Sequence, residues 1–369
     1  MTPDLNPLAE SFASAVAAGE RGAICVMHEG RVLMDLCGGD AAPGQPWRQD
    51  TLACCFSVSK GVLSLLAHVL IDRKMIEPDM PVANLWPAFG QNGKEAITML
   101  DVLTHRAGLP AVSHKVRPGD LYDWDCMIGH LERSAPVVPP RAEPVYHNMT
   151  YGYLLGEILC RAAAEPSLPH LLRRLVTGPL DADFRIGLNA ADRARAAQLT
   201  QELPGALFRS LRDSRDTLFA RSMAFFDPVE TFNSDRWRTA VIGSGSGHAT
   251  ARALATLYGQ FIWGGSILSP ARRSAACAFQ CENAQDAVLG IPLRLAQGVE
   301  LSAPPGLDFG PDSAILGHWG VGGAQALADP RHGISFAYVT GHMADGMGTS
   351  RRAARLVAAR YACLNGRTQ

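Results

Sequence analysis

The 369-residue chain is 47% hydrophobic and 19% charged, with a net charge of −1, which is typical of a globular protein and excludes a disordered one. This charge balance gives no excess of positive charge that would attract nucleic acid or anionic lipid, so we expect neither as a partner. At this length we expect two lobes rather than one small core.

The nine cysteines are odd in number and follow no repeating spacing. Cys54 and Cys55 are adjacent, and Cys277 and Cys281 are four apart with no matching pair of histidines. Neither pattern is typical of a zinc site. We therefore expect no metal and no cofactor, and we interpret most of the cysteines as small buried hydrophobes in a reducing compartment.

The first predicted element is an amphipathic helix within residues 1–22, where Leu8, Phe12 and Val16 form one apolar stripe. This segment has no leading Lys or Arg and no long apolar stretch, so it does not resemble a secretory signal. The sequence also contains no run of about 18 apolar residues that would span a membrane. These features predict a cytoplasmic protein without a membrane partner.

Two apolar runs, Ala23–His28 and Arg31–Cys37, flank Glu29-Gly30 and predict a β-hairpin. The further predicted elements are, in chain order, a helix over residues 57–75, a short helix Asp101–Leu109 stopped by Gly108 and Pro110, a stiff Pro-rich loop Ala135–Pro144, a helix Thr250–Trp263, a strand Ala324–Ala328, a turn over Asp329–Gly333, a strand Ile334–Thr340, and a final helix from Ser350 to about Leu364.

Strands are thus predicted near both ends of the chain, and helices in its middle. Because short connections favour neighbouring strands, we expect the terminal strands to share one antiparallel sheet flanked by helices. The predicted organisation is an α/β domain built from residues 1–75 and 250–369, with residues 76–249 inserted as a mostly helical, all-α domain. We expect the active site between these lobes, where pockets prefer to form.

The segment Ser57-Val58-Ser59-Lys60 opens the helix over residues 57–75 and has the pattern Ser-x-x-Lys. Positions three apart lie on one helix face, so we expect the Ser57 hydroxyl and the Lys60 amine side by side. A serine hydroxyl needs a neighbour to take its proton, and a helix N-terminus stabilises negative charge. The pattern alone also fits an N-cap serine followed by a solvated lysine, so its interpretation depends on partners elsewhere.

The Pro-rich loop leads to Tyr146-His147-Asn148. A tyrosine near an ammonium group can ionise well below its usual pKa of about 10, and Tyr146 is then expected to accept or shuttle the Ser57 proton. We expect Asn148 to donate to a substrate carbonyl and to accept from Lys60. Taken alone, Tyr146 fits an ordinary buried tyrosine equally well.

A third candidate is the segment His318-Trp319-Gly320-Val321-Gly322-Gly323. A Gly-rich edge strand lets a substrate carbonyl approach the backbone closely. We expect the Val321 N–H to complete an oxyanion hole with the N–H of Ser57. The alternative is a Gly-rich turn with Trp319 in the core.

Motifs of other enzyme classes are incomplete. Gly243–Gly247 has glycine where a Gly-x-Ser-x-Gly elbow needs serine, and His248 replaces the last glycine of a dinucleotide motif. A phosphate-binding loop needs glycine where Ala88 stands, and no His-Glu-x-x-His occurs. The α/β-hydrolase, dinucleotide, nucleotide-triphosphate and metalloprotease interpretations therefore lose their main support.

Taken in order, Ser-x-x-Lys, Tyr-x-Asn and His-x-Gly resemble the motifs of the class C β-lactamase-like serine hydrolases, a superfamily that includes the family VIII carboxylesterases and the penicillin-binding DD-peptidases. The resemblance spans nearly the whole chain. Four surrounding segments are similar to the family as well: Leu103–Pro110, Tyr146–Glu157, Asn233–Arg252 and Gly317–Pro330.

The resemblance implies a β-lactamase/DD-peptidase-like fold and acyl transfer through an acyl-serine. It implies that Ser57 is the nucleophile and that Lys60 and Tyr146 together act as general base and acid; which of the two holds the proton stays open. It further implies that Asn148 positions the substrate and that the N–H groups of Ser57 and Val321 form the oxyanion hole.

The third motif departs from the Lys-Thr-Gly or Lys-Ser-Gly that β-lactamases and DD-peptidases usually carry. A lysine is a fixed cation suited to a substrate carboxylate, whereas a histidine with a pKa of about 6.5 is mostly neutral at pH 7. Trp319 adds an apolar wall, and His318 is expected either to contact the substrate or to be structural. We therefore predict a carboxylesterase for short esters. The alternatives are a β-lactamase, amidase or acyltransferase on the same machinery, or an inactive penicillin-binding-like sensor.

Some residues near these motifs are expected to be structural. His105 is interpreted as a hydrogen-bonded residue at a turn. Five phenylalanines fit the wall of the cleft and the core equally well: Phe208, Phe219, Phe225, Phe226 and Phe232.

Overall fold

The computed structural model of the chain describes residues 4–201, 217–226, 231–263, 265–344, 346 and 348–365. The α-helices in this part of the chain are α1 Asn6–Ala17, α2 Val58–Asp72, α3 Met99–Leu103, α4 Trp124–Arg133, α5 Thr150–Ala162, α6 Leu168–Leu172, α7 Ala190–Ala194, α8 Leu218–Ser222, α9 Asp235–Thr239, α10 Ala251–Gly259, α11 Pro270–Cys277 and α12 Arg351–Asn365. None of these described helices combines the length and the apolar character needed to cross a membrane.

The strands of the described residues are β1 Gly22–His28, β2 Arg31–Gly38, β3 Asp40–Ala42, β4 Gln45–Pro46, β5 Ala53–Cys54, β6 Phe184–Ile186, β7 Thr200–Gln201, β8 Gly247–Ala249, β9 Cys281–Asn283, β10 Leu293–Leu295, β11 Glu300–Leu301, β12 Leu316–Trp319, β13 Gln325–Asp329, β14 Ile334–Thr340 and β15 His342–Met343. Short 3-10 turns lie at Val82–Asn84, Pro87–Phe89 and Asp120–Tyr122, and a π turn lies at Arg173–Thr177.

One eight-stranded sheet forms the centre of the fold, in the order β2-β1-β14-β13-β12-β11-β10-β9. Every pair of neighbouring strands in it is antiparallel. Strand β1 from the start of the chain pairs with β14 from its end, with Gly22 opposite Thr340. The prediction of one antiparallel sheet shared by the terminal strands is therefore confirmed.

The predicted hairpin is confirmed as β1 and β2, which pair with His28 opposite Arg31. Glu29 and Gly30 between them both have positive φ, 47° and 79°. A two-residue turn of this kind matches the right-handed twist of the strands that it joins.

Helices cover the central sheet. Helix α10 packs on β1, β13 and β14, and α1 packs against α12. Strands β13 and β14 are buried along their whole length, as expected of strands that are covered on both faces. Helix α2 contacts β12, which brings the Ser-x-x-Lys helix to the strand that carries the third motif.

A second sheet has three strands in the order β5-β8-β6, and its strand β5 directly precedes α2 in the chain. Ala53 of β5 pairs with Ala249 of β8, and Phe184 of β6 pairs with Ala249 from the other side. This sheet joins segments of the two predicted domains. The division of the chain into residues 1–75 with 250–369 and residues 76–249 stays a prediction.

The predicted helix Asp101–Leu109 is wrong in its bounds, because α3 runs from Met99 to Leu103. The Thr98 hydroxyl accepts from the N–H of Asp101, whose carboxylate accepts from the N–H of Thr98. This capping box begins the helix earlier than the apolar pattern suggests. His105 has a φ of +56°, so the backbone leaves the helical conformation before it reaches Gly108.

Candidate active site

Ser57 lies where β5 leads into α2, directly before the first helical residue, Val58. Phe56 has a φ of +47°, a conformation that is strained for a bulky residue. Its ring packs edge-on against Phe232, with the ring centroids 4.9 Å apart. This packing holds a sharp turn, and the turn presents Ser57 to the wall of a cavity.

Lys60 lies one helical turn after Ser57 and is 1% exposed. Its Nζ donates to Ser57 Oγ over 2.9 Å and to the carbonyl oxygen of Ser244 over 3.1 Å. Burial lowers the pKa of Lys60 to about 7, and the nearby Glu300 acts in the opposite direction. The hydroxyl and the amine therefore lie side by side, as their spacing predicts, and the amine is able to accept a proton near neutral pH.

Tyr146 turns its ring toward Lys60, whose Nζ lies 4.8 Å from the ring centroid. Its buried hydroxyl is next to Ser57 but makes no hydrogen bond of ordinary geometry with the described residues. Burial, with a further contribution from Glu300, raises the pKa of Tyr146 well above its usual value. The expectation of an ionised Tyr146 is therefore wrong. The free-energy cost of burying a phenolate away from water exceeds the stabilisation that a neighbouring ammonium would give it.

Hydrogen bonds fix the backbone around Tyr146. The N–H of Tyr146 donates to Asp286 Oδ2 over 2.8 Å, and the N–H of His147 donates to His105 Nδ1 over 3.0 Å. The N–H of Leu109 donates to His147 Nε2 over 3.0 Å. Burial lowers the pKa of His105 well below its usual value and that of His147 to about 4. Both histidines are therefore neutral, hydrogen-bonded residues, in agreement with the interpretation of His105.

Asn148 is half-buried and lines the same cavity as Ser57. Its Nδ2 donates to Met223 Sδ over 2.9 Å. The Nζ of Lys60 donates to Ser57 Oγ and to the Ser244 carbonyl instead. Among the described residues, the expected hydrogen bond between Lys60 and Asn148 is thus not formed, while a role of Asn148 in positioning the substrate stays a prediction.

His318, on β12, is 1% exposed. Its Nδ1 donates to the carbonyl oxygen of Trp319 over 2.7 Å, because a carbonyl oxygen can only accept. Burial lowers the pKa of His318 to about 3, so the ring is neutral. Trp319 and Val321 line the cavity, and His318 is not among its described lining residues. This placement favours a structural His318 over a direct contact with substrate.

At Gly320 the chain comes into close contact with the segment that precedes Ser57. A Cβ on Gly320 would lie 2.4 Å from the carbonyl oxygen of Cys55, so no larger residue fits without a shift of the backbone. The N–H of Gly320 donates to the carbonyl oxygen of Ala324 over 2.7 Å. The close approach brings Val321 and Ser57 to one cavity, and the oxyanion hole predicted from their N–H groups stays a prediction.

The cavity at Ser57 is narrow, with a volume of about 40 Å³. Its wall combines the polar groups of Ser57, Tyr146, Asn148 and Ser244 with a larger apolar set: Phe56, Met149, Phe219, Met223, Phe232, Trp237, Leu289, Trp319 and Val321. A wall of this composition fits a small ligand that is mostly apolar and has a few polar atoms at one end.

The sequence left five phenylalanines open to two interpretations, the wall of the cleft or the core. Two of them, Phe219 and Phe232, line this cavity. Phe225 and Phe226 are buried in the core. Phe208 lies outside the described residues. Cavity and core therefore share one aromatic cluster, in which the Phe226 and Phe232 ring centroids are 5.5 Å apart.

Sequence reasoning missed three residues that surround the Ser57–Lys60 pair. Glu300 is fully buried in β11, opposite Gly317 of β12, and its carboxyl group lies 3.6 Å from His318 Nδ1. Asp286 binds the backbone of Tyr146, and Ser244 accepts from Lys60. No local pattern marks these residues, because only strand pairing and loop packing bring them to the site.

Three side chains that could ligate a metal gather elsewhere. Ligand atoms of Asp120, Cys126 and His130 lie within 4.8 Å of one another. Asp120 already pairs with Arg117 over 3.4 Å and with His130 over 2.9 Å. Asp120 and Cys126 line a cavity of about 770 Å³ that contains none of the residues lining the Ser57 cavity. The cluster is thus a paired hydrogen-bond network next to an arginine, separate from the Ser57 site.

Comparison with known proteins agrees with this geometry. A protein-family model described as Beta-lactamase matches residues 11–360. The chain is 32% identical to "Esterase/beta-lactamase LipL" of Mycobacterium tuberculosis (strain ATCC 25618 / H37Rv) over 336 residues, which are 86% of this chain and 76% of that protein.

Two solved structures are similar over 98% of both chains, each with a TM-score of 0.88. One is described as a novel penicillin-binding protein homolog from Caulobacter crescentus and is 33% identical. The other is described as a family VIII carboxylesterase and is 29% identical. These matches confirm the resemblance drawn from the ordered motifs, and with the family model they show that the chain is a hydrolase of the Beta-lactamase family.

Proposed function

We propose that this chain is a serine hydrolase that cleaves short, neutral carboxylic esters through an acyl-Ser57 intermediate. The 2.9 Å hydrogen bond between Lys60 Nζ and Ser57 Oγ carries the proposal. A buried amine with a pKa of about 7 is half in its basic form near neutral pH, and a base of that strength is the one a serine nucleophile needs.

In the first half-reaction the Lys60 amine takes the proton of the Ser57 hydroxyl while Oγ attacks the carbonyl carbon of the ester. The Oγ–C bond forms, and negative charge develops on the carbonyl oxygen. The N–H groups of Ser57 and Val321 are assigned to this oxygen, where they would stabilise it most in the transition state. The bond between the acyl carbon and the alcohol oxygen then breaks.

Tyr146 is assigned to the proton transfer to the leaving alcohol. Its phenol stays protonated, and its buried hydroxyl lies next to Ser57. The hydroxyl is thus able to donate to the departing oxygen and to recover a proton from the Lys60 ammonium, which faces its ring. In the second half-reaction, water gives a proton to Lys60 while its oxygen attacks the acyl carbon. The bond between the acyl carbon and Ser57 Oγ then breaks, and Oγ takes that proton back from Lys60, which regenerates the starting state.

The cavity supports a short and neutral acyl group as the substrate class. Its wall is mainly apolar, and the histidine at the third motif is neutral, with its pKa lowered to about 3. A fixed cation that would select a substrate carboxylate is thus missing at position 318. The names of two relatives, an esterase/beta-lactamase and a carboxylesterase, are in line with an ester substrate.

Hydrolysis of β-lactams is the second candidate, favoured by the name of the relative at 32% identity. The same Ser57 and Lys60 would open a lactam ring. A β-lactamase and an esterase built on this site would then differ only in the substrate that they accept. The neutral His318 argues against a preference for lactams, whose carboxylate a lysine would hold better.

Intact-mass spectrometry tests the proposal. The purified protein is mixed with a short-chain p-nitrophenyl ester and, in parallel, with nitrocefin. We expect release of nitrophenol and an acyl adduct on the wild type, neither of them with Ser57→Ala, and slow or no turnover of nitrocefin. The matched control is Ser64→Ala on the same helix, because Ser64 Oγ donates to the carbonyl oxygen of Gln297 and not to the site.

Rapid nitrocefin turnover with poor ester turnover would move the assignment to a β-lactamase. Transfer of the acyl group to an added alcohol in preference to water would make the protein an acyltransferase. No adduct and no turnover of either compound would overturn the proposal and favour an inactive sensor.

A further inference from the structure

Glu300 is a buried carboxyl group that the reaction steps above do not use. It is 0% exposed, and its carboxyl group lies beside the backbone N–H and the indole N–H of Trp319. Burial of a carboxyl group costs free energy even where neighbouring N–H groups offset part of it, and burial of its charged form costs more. An apolar residue of the same size would avoid this cost, so a carboxyl group at this buried position indicates a role at the neighbouring site.

The contacts of Glu300 lead toward the Ser57 site. Strand β11 places it opposite Gly317, next to His318 in β12, and its Oε2 lies 3.6 Å from His318 Nδ1. The His318 ring lies 6.2 Å from the Tyr146 ring, and Lys60 Nζ lies 4.8 Å from that same ring, measured to centroids. Glu300 thus contacts His318, which neighbours Tyr146, and it is not among the described residues that line the Ser57 cavity.

His318 does not neutralise Glu300. Its Nδ1–H is used by the carbonyl oxygen of Trp319 over 2.7 Å, and burial keeps the ring uncharged. Lys60 is the buried cation of this cluster, since its Nζ faces the Tyr146 ring that also neighbours His318, and Glu300 and Lys60 each change the pKa of the other. Burial raises the pKa of Glu300 to about 8 and lowers that of Lys60 to about 7, so the two groups titrate as one coupled pair.

Other titratable groups face this pair from the packed elements. They are Tyr146, His105, His147, His318, Asp286, Tyr151 and Tyr258. The histidines are neutral and the tyrosines stay protonated, since burial shifts their pKa values in those directions. Asp286 already accepts from the N–H groups of Tyr146, Val288 and Leu289. Among the described residues, Glu300 is therefore the acid whose ionisation depends most directly on the charge of Lys60.

We propose that Glu300 is a positioning residue for the acyl transfer, whose carboxyl group sets the charge of Lys60 and stabilises the ammonium that forms when Lys60 takes the Ser57 proton. This inference rests on the proposed function. No bond to Glu300 forms or breaks in the acyl transfer. The proton moves from Ser57 Oγ to Lys60 Nζ. The ammonium that forms favours ionisation of Glu300, and the carboxylate in turn stabilises the ammonium, strongly because water is excluded.

The test is the pH dependence of kcat/KM for a p-nitrophenyl ester with the wild type, Glu300→Gln and Glu300→Asp. Without a carboxylate the Lys60 ammonium is less stable, so in Glu300→Gln we expect the acid limb to move to lower pH by about one unit and the maximal kcat to fall about tenfold. Glu300→Asp keeps a carboxylate and is expected to keep the limb near its wild-type position.

The matched control is Glu20→Gln. Glu20 is a buried carboxylate too, but it pairs with Arg352 and Thr340, away from the cavity residues. We expect its variant to have the wild-type pH profile. If Glu300→Gln does not fold, as thermal unfolding will show, Glu300→Met gives an uncharged side chain of similar length, and the same shift of the limb is expected.

A folded Glu300→Gln or Glu300→Met protein whose acid limb superposes on that of the wild type overturns the inference, even if its activity is lower at every pH. A purely structural Glu300 would produce that uniform loss. Failure of the proposed function looks different, because the wild type itself would then form no adduct on Ser57.

Discussion

The carbonyl oxygen of Cys55 occupies the space that a side chain on Gly320 would need, with only 2.4 Å between that oxygen and an ideal Cβ. This contact sets the gap between the end of β12 and the turn that carries Ser57. In Gly320→Ala we expect kcat/KM for an ester to fall about 100-fold, because a displacement of about 1 Å between reacting groups costs that much.

The control for this variant is Gly129→Ala in helix α4. There, the closest atom to the new Cβ is at the flexible end of Arg133, 3.0 Å away, and alanine favours the helix. If Gly320→Ala keeps the wild-type kcat/KM, as Gly129→Ala is expected to do, the Gly320–Cys55 contact is not important for activity.

The Tyr146 hydroxyl can be tested against a neighbouring tyrosine. The ring of His105 stacks on the rings of Tyr146 and Tyr151, with centroids 4.9 Å and 4.7 Å away. Both tyrosine hydroxyls are buried, and that of Tyr146 lies next to Ser57. We expect Tyr146→Phe to lower kcat about 100-fold, as loss of an acid–base group does, and Tyr151→Phe to leave it unchanged. Stopped-flow release of nitrophenol measures both, and equal rates in the two variants would rule out the assigned role.

The acid limb of the ester reaction is expected near pH 7. Lys60, with its pKa lowered to about 7, loses its function as a base when it is protonated below that pH. His147 and His318 have pKa values of about 4 and 3 and do not titrate in this range. A pH–rate profile from pH 5 to 9, taken with the wild type and His318→Gln, checks this. A limb that disappears in His318→Gln would assign the titration to the histidine instead.

Lys60 is also expected to cost stability. Its pKa is about 7 when folded and 10.5 when exposed, so the unfolded chain binds more protons between these values, and the free energy of unfolding rises with pH across that window. The cost of burying the ammonium is therefore complete below pH 7 and disappears toward pH 10.5. We expect Lys60→Met to abolish acylation and to raise the free energy of unfolding by on the order of 3 kcal/mol at pH 6.

Urea unfolding of the wild type and Lys60→Met at pH 6 and pH 9.5 measures this difference. The gain from Lys60→Met should be clearly smaller at pH 9.5, since the cost of burying Lys60 falls as the pH approaches 10.5, the pKa of the exposed lysine. A constant difference at the two pH values would show that folding does not lower the pKa of Lys60.

Several local features of the fold were predictable from short-range patterns. Ser57 and Lys60 share a helix face because their spacing matches one helical turn, and the 2.9 Å hydrogen bond between them follows from that spacing. The turn at Glu29-Gly30 follows from two apolar runs with a gap of two residues. The helix at Asp101 was misplaced because a capping box and the positive φ of His105 overrode the apolar pattern.

Interactions between distant segments were not predictable in the same way. The ionisation state expected of Tyr146 was wrong. The expectation took account of a nearby ammonium, which lowers the pKa of a tyrosine, but not of burial, which raises it. The expected hydrogen bond from Lys60 to Asn148 is replaced by one to the Ser244 carbonyl, 184 residues along the chain from Lys60. No pattern within a helix or strand reveals such a partner.

The amino-acid sequence by itself determined the order of the motifs, the family to which they point, and the pairing of Ser57 with Lys60, since these depend on residue identity and on spacing along one helix. Only the tertiary structure decided which groups are charged. The protonation of Lys60, Tyr146 and Glu300 depends on removal from water and on neighbours supplied by other strands, and both arise only when the antiparallel sheet brings distant parts of the chain together.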